Sequence, residues 1–224
     1  MKIINLVGSP HGAKGNTARL LQIVSEGAEF LGASIENIFL TGKNVLPCLG
    51  CDTCHKKGKC VQHDEFESIK QRILKADGLI LASPNYIFNV SAQMKAFMDR
   101  CCEAVHCLSF EGKYGASVVT SGGGDESPIA ESMNHFMMIT GIRPVGAVWA
   151  TMGNIYENTF PEEIRNNAFE LGKKLVLSWK GKVVFPESEK IIGQFKERMQ
   201  QLMLWRKEEW PYEYQYWKKH RGLE

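Results

Sequence analysis

Residues 2–17 read KIINLVGSPHGAKGNT, and this stretch decides the fold class. Its first six residues are mostly apolar and end at Gly8-Ser9-Pro10, which predicts a buried strand followed by a loop. Residues 16–31 then carry apolar side chains at helical spacing, which predicts a helix that stops at Gly32. The unit at the start of the chain is therefore a strand, a glycine-rich loop and a helix.

The same alternation continues along the chain. Further strands are predicted at residues 34–40, 78–82, 116–120 and 144–150, and helices at residues 64–75, 91–107, 126–140 and 161–179. Five strands separated by helices require parallel crossover connections, so we expect an α/β fold with a doubly wound five-stranded parallel sheet and helices on both faces. One domain accounts for residues 1–180.

Composition excludes several classes of protein. The 224 residues include 27 Lys and Arg against 25 Asp and Glu, a net charge of +2 that gives no reason to expect nucleic acid or a membrane surface as a partner. No apolar run approaches the roughly 18 residues of a membrane span. The N-terminal apolar run is too short for a secretory signal, so a cytoplasmic protein is expected.

The first loop has the composition of a phosphate site. Backbone N–H groups and hydroxyls at a helix N-terminus gather around an anion, and the helix dipole favours negative charge there. Neither the Walker A spacing nor the G-x-G-x-x-G dinucleotide spacing is present. The loop therefore predicts a cradle for a single phosphate, built from Ser9, His11, Asn16 and Thr17.

Two more loops follow the third and fourth predicted strands, at the edge where doubly wound sheets bind ligands. The first offers an aromatic surface and backbone N–H groups, and the second lets the backbone approach a ligand closely because it is rich in glycine. A phosphate beside one loop and a flat ring between two others describe flavin mononucleotide (FMN). The candidate residues are Pro84, Asn85, Tyr86, Ile87 and Phe88 in the first loop, and Thr120, Ser121, Gly122 and Gly123 in the second.

Four of the seven cysteines lie within thirteen residues, at Cys48, Cys51, Cys54 and Cys60. Three cysteines separated by two residues each are typical of a [4Fe–4S] cluster. Two alternatives stay open, a redox-active thiol loop without a metal, and a zinc site in which His55 or His63 substitutes for a cysteine. The remaining cysteines, Cys101, Cys102 and Cys107, are expected in the core or an interface without a chemical role, and His106 is expected to be structural.

Three motifs together resemble the NADPH-dependent FMN reductase family. They are Gly8-Ser9-Pro10 with Gly15-Asn16-Thr17, Ser83-Pro84-x-Tyr86, and Ser91-x-Gln93-x-Lys95-x-Phe97-x-Asp99-Arg100. The compact cysteine loop is similar to that of the iron–sulfur flavoprotein branch. The resemblance implies a flavodoxin-like sheet of order 2-1-3-4-5, with FMN held by the three loops named above and the four cysteines as cluster ligands.

We therefore expect an FMN-dependent oxidoreductase in which electrons pass between an external donor, a [4Fe–4S] cluster and FMN. Redox partners such as ferredoxin, NAD(P)H or a quinone fit this chemistry, and no side chain is required as a catalytic acid or base. One alternative is a cluster-free NAD(P)H-dependent FMN or quinone reductase. Another is a zinc-stapled module that binds a protein.

Residues 181–224 form a C-terminal extension. A helix is predicted over residues 187–205, followed by a segment that is dense in tryptophan and tyrosine. Aromatic side chains at this density indicate a contact surface. The extension either reaches another subunit, in a homodimer or homotetramer, or packs back on its own domain.

Overall fold

The computed structural model describes residues 1–155 and 159–223. Glu224, the last residue of the predicted extension, lies outside them. Five parallel strands form one sheet in the order β2-β1-β3-β4-β5, which confirms the predicted flavodoxin-like topology. The strands are β1 (Lys2–Val7), β2 (Ser34–Phe39), β3 (Gly78–Pro84), β4 (Tyr114–Ser121) and β5 (Arg143–Thr151).

The helices of the described residues cover both faces of the sheet and continue into the extension. They are α1 (Asn16–Phe30), α2 (Thr53–Lys57), α3 (Phe66–Leu74), α4 (Ala92–Arg100), α5 (Cys102–His106), α6 (Glu126–Ile139), α7 (Glu162–Gly181), α8 (Pro186–Trp205) and α9 (Pro211–Arg221). Short 3-10 turns lie at Gly12–Lys14 and Met152–Asn154. Within these described helices, none is at once long and apolar enough to span a membrane.

Two cores sandwich the sheet because neighbouring side chains of a strand point to opposite faces. In β1, Ile4 and Leu6 pack with residues of α3, α4 and α6, whereas Ile3 and Val7 pack with α1 and α7. All four side chains are fully buried. The central strand β3, which is buried along its whole length, accordingly lacks the alternation of polar and apolar residues seen in half-exposed strands.

The strand register brings the candidate loops to one edge. Val7 of β1 pairs with Ala82 of β3, and Pro84 of β3 pairs with Thr120 of β4. The loops after β1, β3 and β4 consequently start side by side.

The single helix predicted over residues 91–107 is instead two helices. Ser91 caps α4 by accepting a hydrogen bond from the Met94 N–H, as expected for a serine at that position. At the other end, the buried Cys101 turns the chain, with its N–H donating to the Met98 carbonyl at 3.0 Å. The turn separates α5 from α4. The cysteine loop also contains a short helix, α2, that periodicity did not predict.

The C-terminal extension packs against its own domain through α8 and α9. Trp217 of α9 is buried in a third apolar cluster with Leu108 and Met203, and its Nε1 donates to the His106 carbonyl at 3.0 Å. Trp205 at the end of α8 is 74% exposed. The aromatic segment after α8 thus packs on its own chain through α9. Assembly into a dimer or tetramer stays a prediction.

Candidate functional site

The loop after β1 is held in place by close backbone packing. The Ser91 hydroxyl donates to the Gly8 carbonyl at 2.6 Å, and a Cβ on Gly8 would lie 2.7 Å from that hydroxyl. A Cβ on Gly15 would lie 2.8 Å from the Ser9 Oγ. These two glycines therefore allow the loop to fold tightly against α4 and to deliver the N-terminus of α1 to the sheet edge.

The three predicted loops surround one cavity of about 180 Å³. It is lined by Ser9, His11, Asn16, Thr17, Pro84, Asn85, Tyr86, Thr120, Ser121, Gly122 and Met152. All of these residues except Met152 were candidates from the sequence. Met152 lies just beyond the end of β5, where no glycine or hydroxyl motif indicated a role. Their roles toward a ligand stay predictions.

Ile87, Phe88 and Gly123, the other candidates, do not line this cavity. Ile87 and Phe88 are 91% and 73% exposed, and both have left-handed backbone, with φ of 50° and 58°. The backbone groups of Tyr86 and Asn89 bond to each other across the turn. A left-handed conformation is rare for a β-branched residue such as isoleucine. The turn thus presents two apolar side chains to solvent beside the cavity.

The cavity has unused hydrogen-bonding capacity that suits FMN. The buried Asn85 Oδ1 has no partner within the described residues, while the Asn85 Nδ2 donates to the Gly124 carbonyl at 3.0 Å. A Cβ on Gly122 or Gly123 would meet open space, so a ligand can approach the backbone there. The residues present therefore fit the cofactor that the three loops predicted.

A buried carboxylate, Glu126, supports the loop after β4 and was not foreseen. It accepts hydrogen bonds from the hydroxyls of Ser121 and Thr151. Burial raises the pKa of Glu126, but these hydrogen bonds outweigh it and hold the pKa below its usual range. The Ser121 Oγ in turn accepts from the Gly124 N–H at 2.8 Å. The carboxylate fixes the loop from behind and does not line the cavity.

The four clustered cysteines line a second cavity, of about 100 Å³. Cys48 and Cys51 are exposed, Cys54 and Cys60 are half-buried, and none forms a disulfide. Burial raises the pKa of Cys54 to about 12, whereas a hydrogen bond with Thr53 lowers the pKa of Cys51. All four cysteines of the loop thus line one cavity, and their role as cluster ligands stays a prediction.

A buried cation faces this cysteine cavity. Arg100 lines it and forms a fully buried ion pair with Asp64, with Nη1 and Oδ2 2.8 Å apart. The Arg100 Nη1 also donates to the Leu46 carbonyl, which ties the start of the cysteine loop to the end of α4. Its Nε is buried without a partner among the described residues. Positive charge and a spare donor suit a sulfur-rich, negatively charged group.

The cysteine cavity lies at the end of α4 and away from the edge of the sheet. The loop does start at that edge, because the Thr41 hydroxyl donates to the Pro10 carbonyl at 3.0 Å. The cavity itself, however, is lined by Asp99, Arg100 and Cys102, at the C-terminal end of α4. The cavity between the loops after β1, β3 and β4, called the flavin-type cavity below, lies at the sheet edge.

In the wall of the cysteine cavity, which His55 and Cys102 both line, these two residues and His106 form a cluster whose ligand atoms all lie within 4.8 Å of one another. In the described part of the chain this is the only such group of three or more. Four sulfurs around one zinc ion would be about 3.8 Å apart, given Zn–S bonds of about 2.3 Å. The loop cysteines do not form a group of this kind among the described residues. Their sulfur atoms are therefore spaced more widely than a four-sulfur zinc site requires.

Cys102 differs from the other two cysteines of its segment. Cys101 and Cys107 are buried in the core, as expected, and burial raises the pKa of each thiol. Hydrogen bonds with His106 and His55 instead lower the pKa of Cys102 to about 7. Burial lowers the pKa of His106, but its contacts with Cys102 and Glu213 outweigh this and raise it to about 9. The local signal was the spacing of Cys102 and His106, one helical turn apart.

Comparison with known proteins identifies the family. The family model described as NADPH-dependent FMN reductase matches residues 1–157. An iron–sulfur flavoprotein of Archaeoglobus fulgidus is 35% identical over 183 residues, which cover 81% of this chain and 82% of that protein. An iron–sulfur flavoprotein of Methanosarcina thermophila is 32% identical, over 65% of this chain and 78% of its own.

Solved structures share the fold at low sequence identity. An NADH:FMN oxidoreductase in its apo form superposes with a TM-score of 0.62 at 16% identity, over 79% of this chain and 89% of that one. A WrbA-like flavodoxin of Agrobacterium tumefaciens gives 0.56 at 16% identity, over 80% and 97% of the two chains. From the family match and the curated relatives together, the chain is a flavin-dependent oxidoreductase that belongs to the iron–sulfur flavoprotein branch of the NADPH-dependent FMN reductase family.

Proposed function

We propose that this protein transfers electrons between an external donor, a [4Fe–4S] cluster held by Cys48, Cys51, Cys54 and Cys60, and FMN at the sheet edge. The single observation that carries the proposal is that the four cysteines line one cavity, beside the buried Arg100. The relatives that carry the name iron–sulfur flavoprotein support it. When bound, the two cofactors supply the redox chemistry.

The chain's own residues bind and position the cofactors. The N-terminus of α1, with Asn16 and Thr17, faces the cavity and suits the FMN phosphate, because unpaired N–H groups and the helix dipole favour an anion there. The Thr17 hydroxyl is hydrogen-bonded to the Thr120 hydroxyl at 2.7 Å, which links the phosphate loop to the loop after β4. Asn85 offers its unpaired Oδ1 to a donor on the ligand.

Arg100 would favour the reduced form of the cluster over its oxidised form. A buried guanidinium beside the cysteine sulfurs favours the more negatively charged form of whatever they bind. Its ion pair with Asp64 keeps the guanidinium in place.

A second candidate function is a cluster-free NAD(P)H-dependent FMN or quinone reductase. The observation that favours it is the exposed apolar turn of Ile87 and Phe88 beside the cavity, next to the half-exposed Tyr86. Flat rings stack on such surfaces, so a nicotinamide or a quinone could reach a bound flavin there. In this function the cysteine loop would be a thiol loop without a cluster.

The test is a pair of variants that separates the two cofactors. The protein is purified without oxygen and assayed for iron, sulfide, zinc and FMN. We expect about four irons per chain, as in a [4Fe–4S] cluster. Cys51→Ser should lose iron and keep FMN, because it removes a cluster ligand and leaves the sheet edge intact. The double variant Asn16→Ala, Thr17→Ala should lose FMN and keep iron.

The matched control is Cys101→Ala, which removes a buried thiol outside the loop and should retain both cofactors. Wild-type protein with FMN and no iron would establish the cluster-free reductase instead. Iron retained by Cys51→Ser at the wild-type level would contradict ligation by Cys51. FMN retained by the double variant would contradict the phosphate loop.

A further inference from the structure

The cluster of His55, Cys102 and His106 joins two helices, and a third helix supplies the carboxylate behind it. His55 comes from α2 within the cysteine loop, Cys102 and His106 lie one turn apart on α5, and the carboxylate behind them, Glu213, comes from α9. The His106 Nε2 lies 4.0 Å from the Cys102 Sγ. Two imidazoles and a thiol therefore point into one small space.

Glu213 sets which ring nitrogens face that space. Its Oε1 lies 2.7 Å from the His55 Nδ1, and its Oε2 lies 3.0 Å from the His106 Nδ1. An ionised carboxylate only accepts hydrogen bonds, so each Nδ1 carries the proton and donates. Each Nε2 then faces Cys102, where a bound metal ion would replace the proton shared with the sulfur. Carboxylates hold metal-binding histidines in this way.

The surroundings are those of a built site. Glu213 is fully buried and His55 is 4% exposed, so neither is a solvated surface group. The Trp210 ring stacks on both imidazoles, with ring centroids 4.4 Å from His55 and 5.1 Å from His106.

We propose that His55, Cys102 and His106 bind a single divalent transition-metal ion, with zinc as the best chemical match, through a ligand set that includes none of the four loop cysteines. Two imidazoles and one thiolate are ligands that zinc prefers. Zn–N bonds of about 2.1 Å and Zn–S bonds of about 2.3 Å would place the ligand atoms about 3.5 Å apart. The observed separations need only small side-chain rotations to reach this value.

The fourth position of the tetrahedron opens toward the cysteine loop. Asp52 offers one further oxygen donor, with its Oδ1 3.8 Å from the His55 Nε2, and water is the other candidate. With the ion bound, α2 is attached to α5, and α9 is attached through Glu213. The ion would therefore fix the cysteine loop against the domain and fasten the C-terminal helix over it.

The test measures metal content and affinity in full-length protein, independently of turnover. We expect zinc to bind at one ion per chain in addition to any iron, and to bind equally in the Cys51→Ser background that lacks a cluster ligand. Cys102→Ser and His106→Ala should each lose this zinc while keeping iron and FMN. Glu213→Gln, which preserves side-chain shape, should weaken Zn²⁺ binding about 10- to 100-fold.

The matched control is His63→Ala, an exposed histidine of the same loop that is not part of the cluster. Its zinc affinity should equal that of the wild type. Zinc retained by Cys102→Ser but lost by Cys51→Ser would place the ion in the four-cysteine loop and overturn the proposal. So would wild-type protein that fails to take up added Zn²⁺ at micromolar concentration. Because iron and FMN are assayed on the same samples, these outcomes do not depend on the proposed electron-transfer function.

Discussion

At the scale of single residues, Glu126 shows how a buried charge is kept ionised next to a ligand loop. Its side chain is only 5% exposed, yet two hydroxyls donate to it. Hydrogen bonds to a charged acceptor contribute more than neutral ones. Glu126 therefore holds the loop after β4 to the end of β5, and its contribution depends on its charge.

We expect Glu126→Gln to lower the free energy of unfolding by about 1.5–3 kcal/mol at pH 7, the range for hydrogen bonds to charged groups. The folded-state pKa of Glu126 lies below its usual value of 4.5, so the contribution of the carboxylate is present above that pH and is lost as pH falls through the folded pKa. The difference between variant and wild type should therefore shrink in acid. Urea unfolding from pH 3 to pH 7 measures it, and a difference independent of pH would contradict this role.

At the scale of elements, two glycines let α1 and α7 cross at backbone distance. A Cβ on Gly172 of α7 would lie 1.9 Å from the Val24 carbonyl oxygen of α1, and a Cβ on Gly27 of α1 would lie equally close to the Phe169 carbonyl oxygen. Such contacts involve rigid backbone and cannot be relieved by a side-chain rotation. Since α1 carries Asn16 and Thr17 at its N-terminus, this crossing also positions the phosphate loop.

Gly172→Ala should therefore lower the free energy of unfolding by about 1–3 kcal/mol, the cost of overpacking, and weaken FMN retention. The matched control is Gly193→Ala in α8, where a Cβ meets nothing within 4 Å. There alanine should stabilise the helix by about 0.5–1 kcal/mol. Thermal or chemical unfolding of both variants gives the comparison, and effects of the same sign would refute the close crossing.

At the scale of the whole molecule, the C-terminal extension covers the back of the cysteine loop. α9 buries Glu213 and Trp217 against its own chain, and a Cβ on Gly58 of the loop would collide with the Tyr212 ring at 2.2 Å. The aromatic surface left for a second subunit is centred on Trp205, over which the Arg206 guanidinium lies at 4.4 Å. This is the surface to test for assembly.

We expect Trp205→Ala to lower the oligomeric state measured by sedimentation velocity. A few residues, tryptophan prominent among them, carry most of the binding energy of a protein interface. The control is Phe30→Ala, which removes a comparably exposed aromatic ring at the end of α1. It should sediment as the wild type does. A Trp205→Ala variant with unchanged sedimentation would show that the extension serves its own chain alone.

The sequence by itself determined the parallel sheet and most of the residues that line the flavin-type cavity, whereas the strand order was expected from the family resemblance. Strand and helix periodicity are local properties, and the parallel crossovers then require the loops after β1, β3 and β4 to meet at one edge. The sequence alone could thus predict that several side chains of this cavity lie together, among them Ser9, Thr17, Asn85 and Ser121. The compact cysteine spacing likewise predicted a shared space for its four sulfurs.

Only the tertiary structure decided what surrounds the cysteine loop. His55 and Glu213 are 158 residues apart in sequence, and no local spacing connects them. The turn at Cys101 separates Cys102 from the buried cysteines beside it, and the packing of α9 then brings a carboxylate behind two imidazoles. Contacts between distant segments depend on how helices of the two regions pack. Periodicity describes one helix at a time and cannot specify that packing.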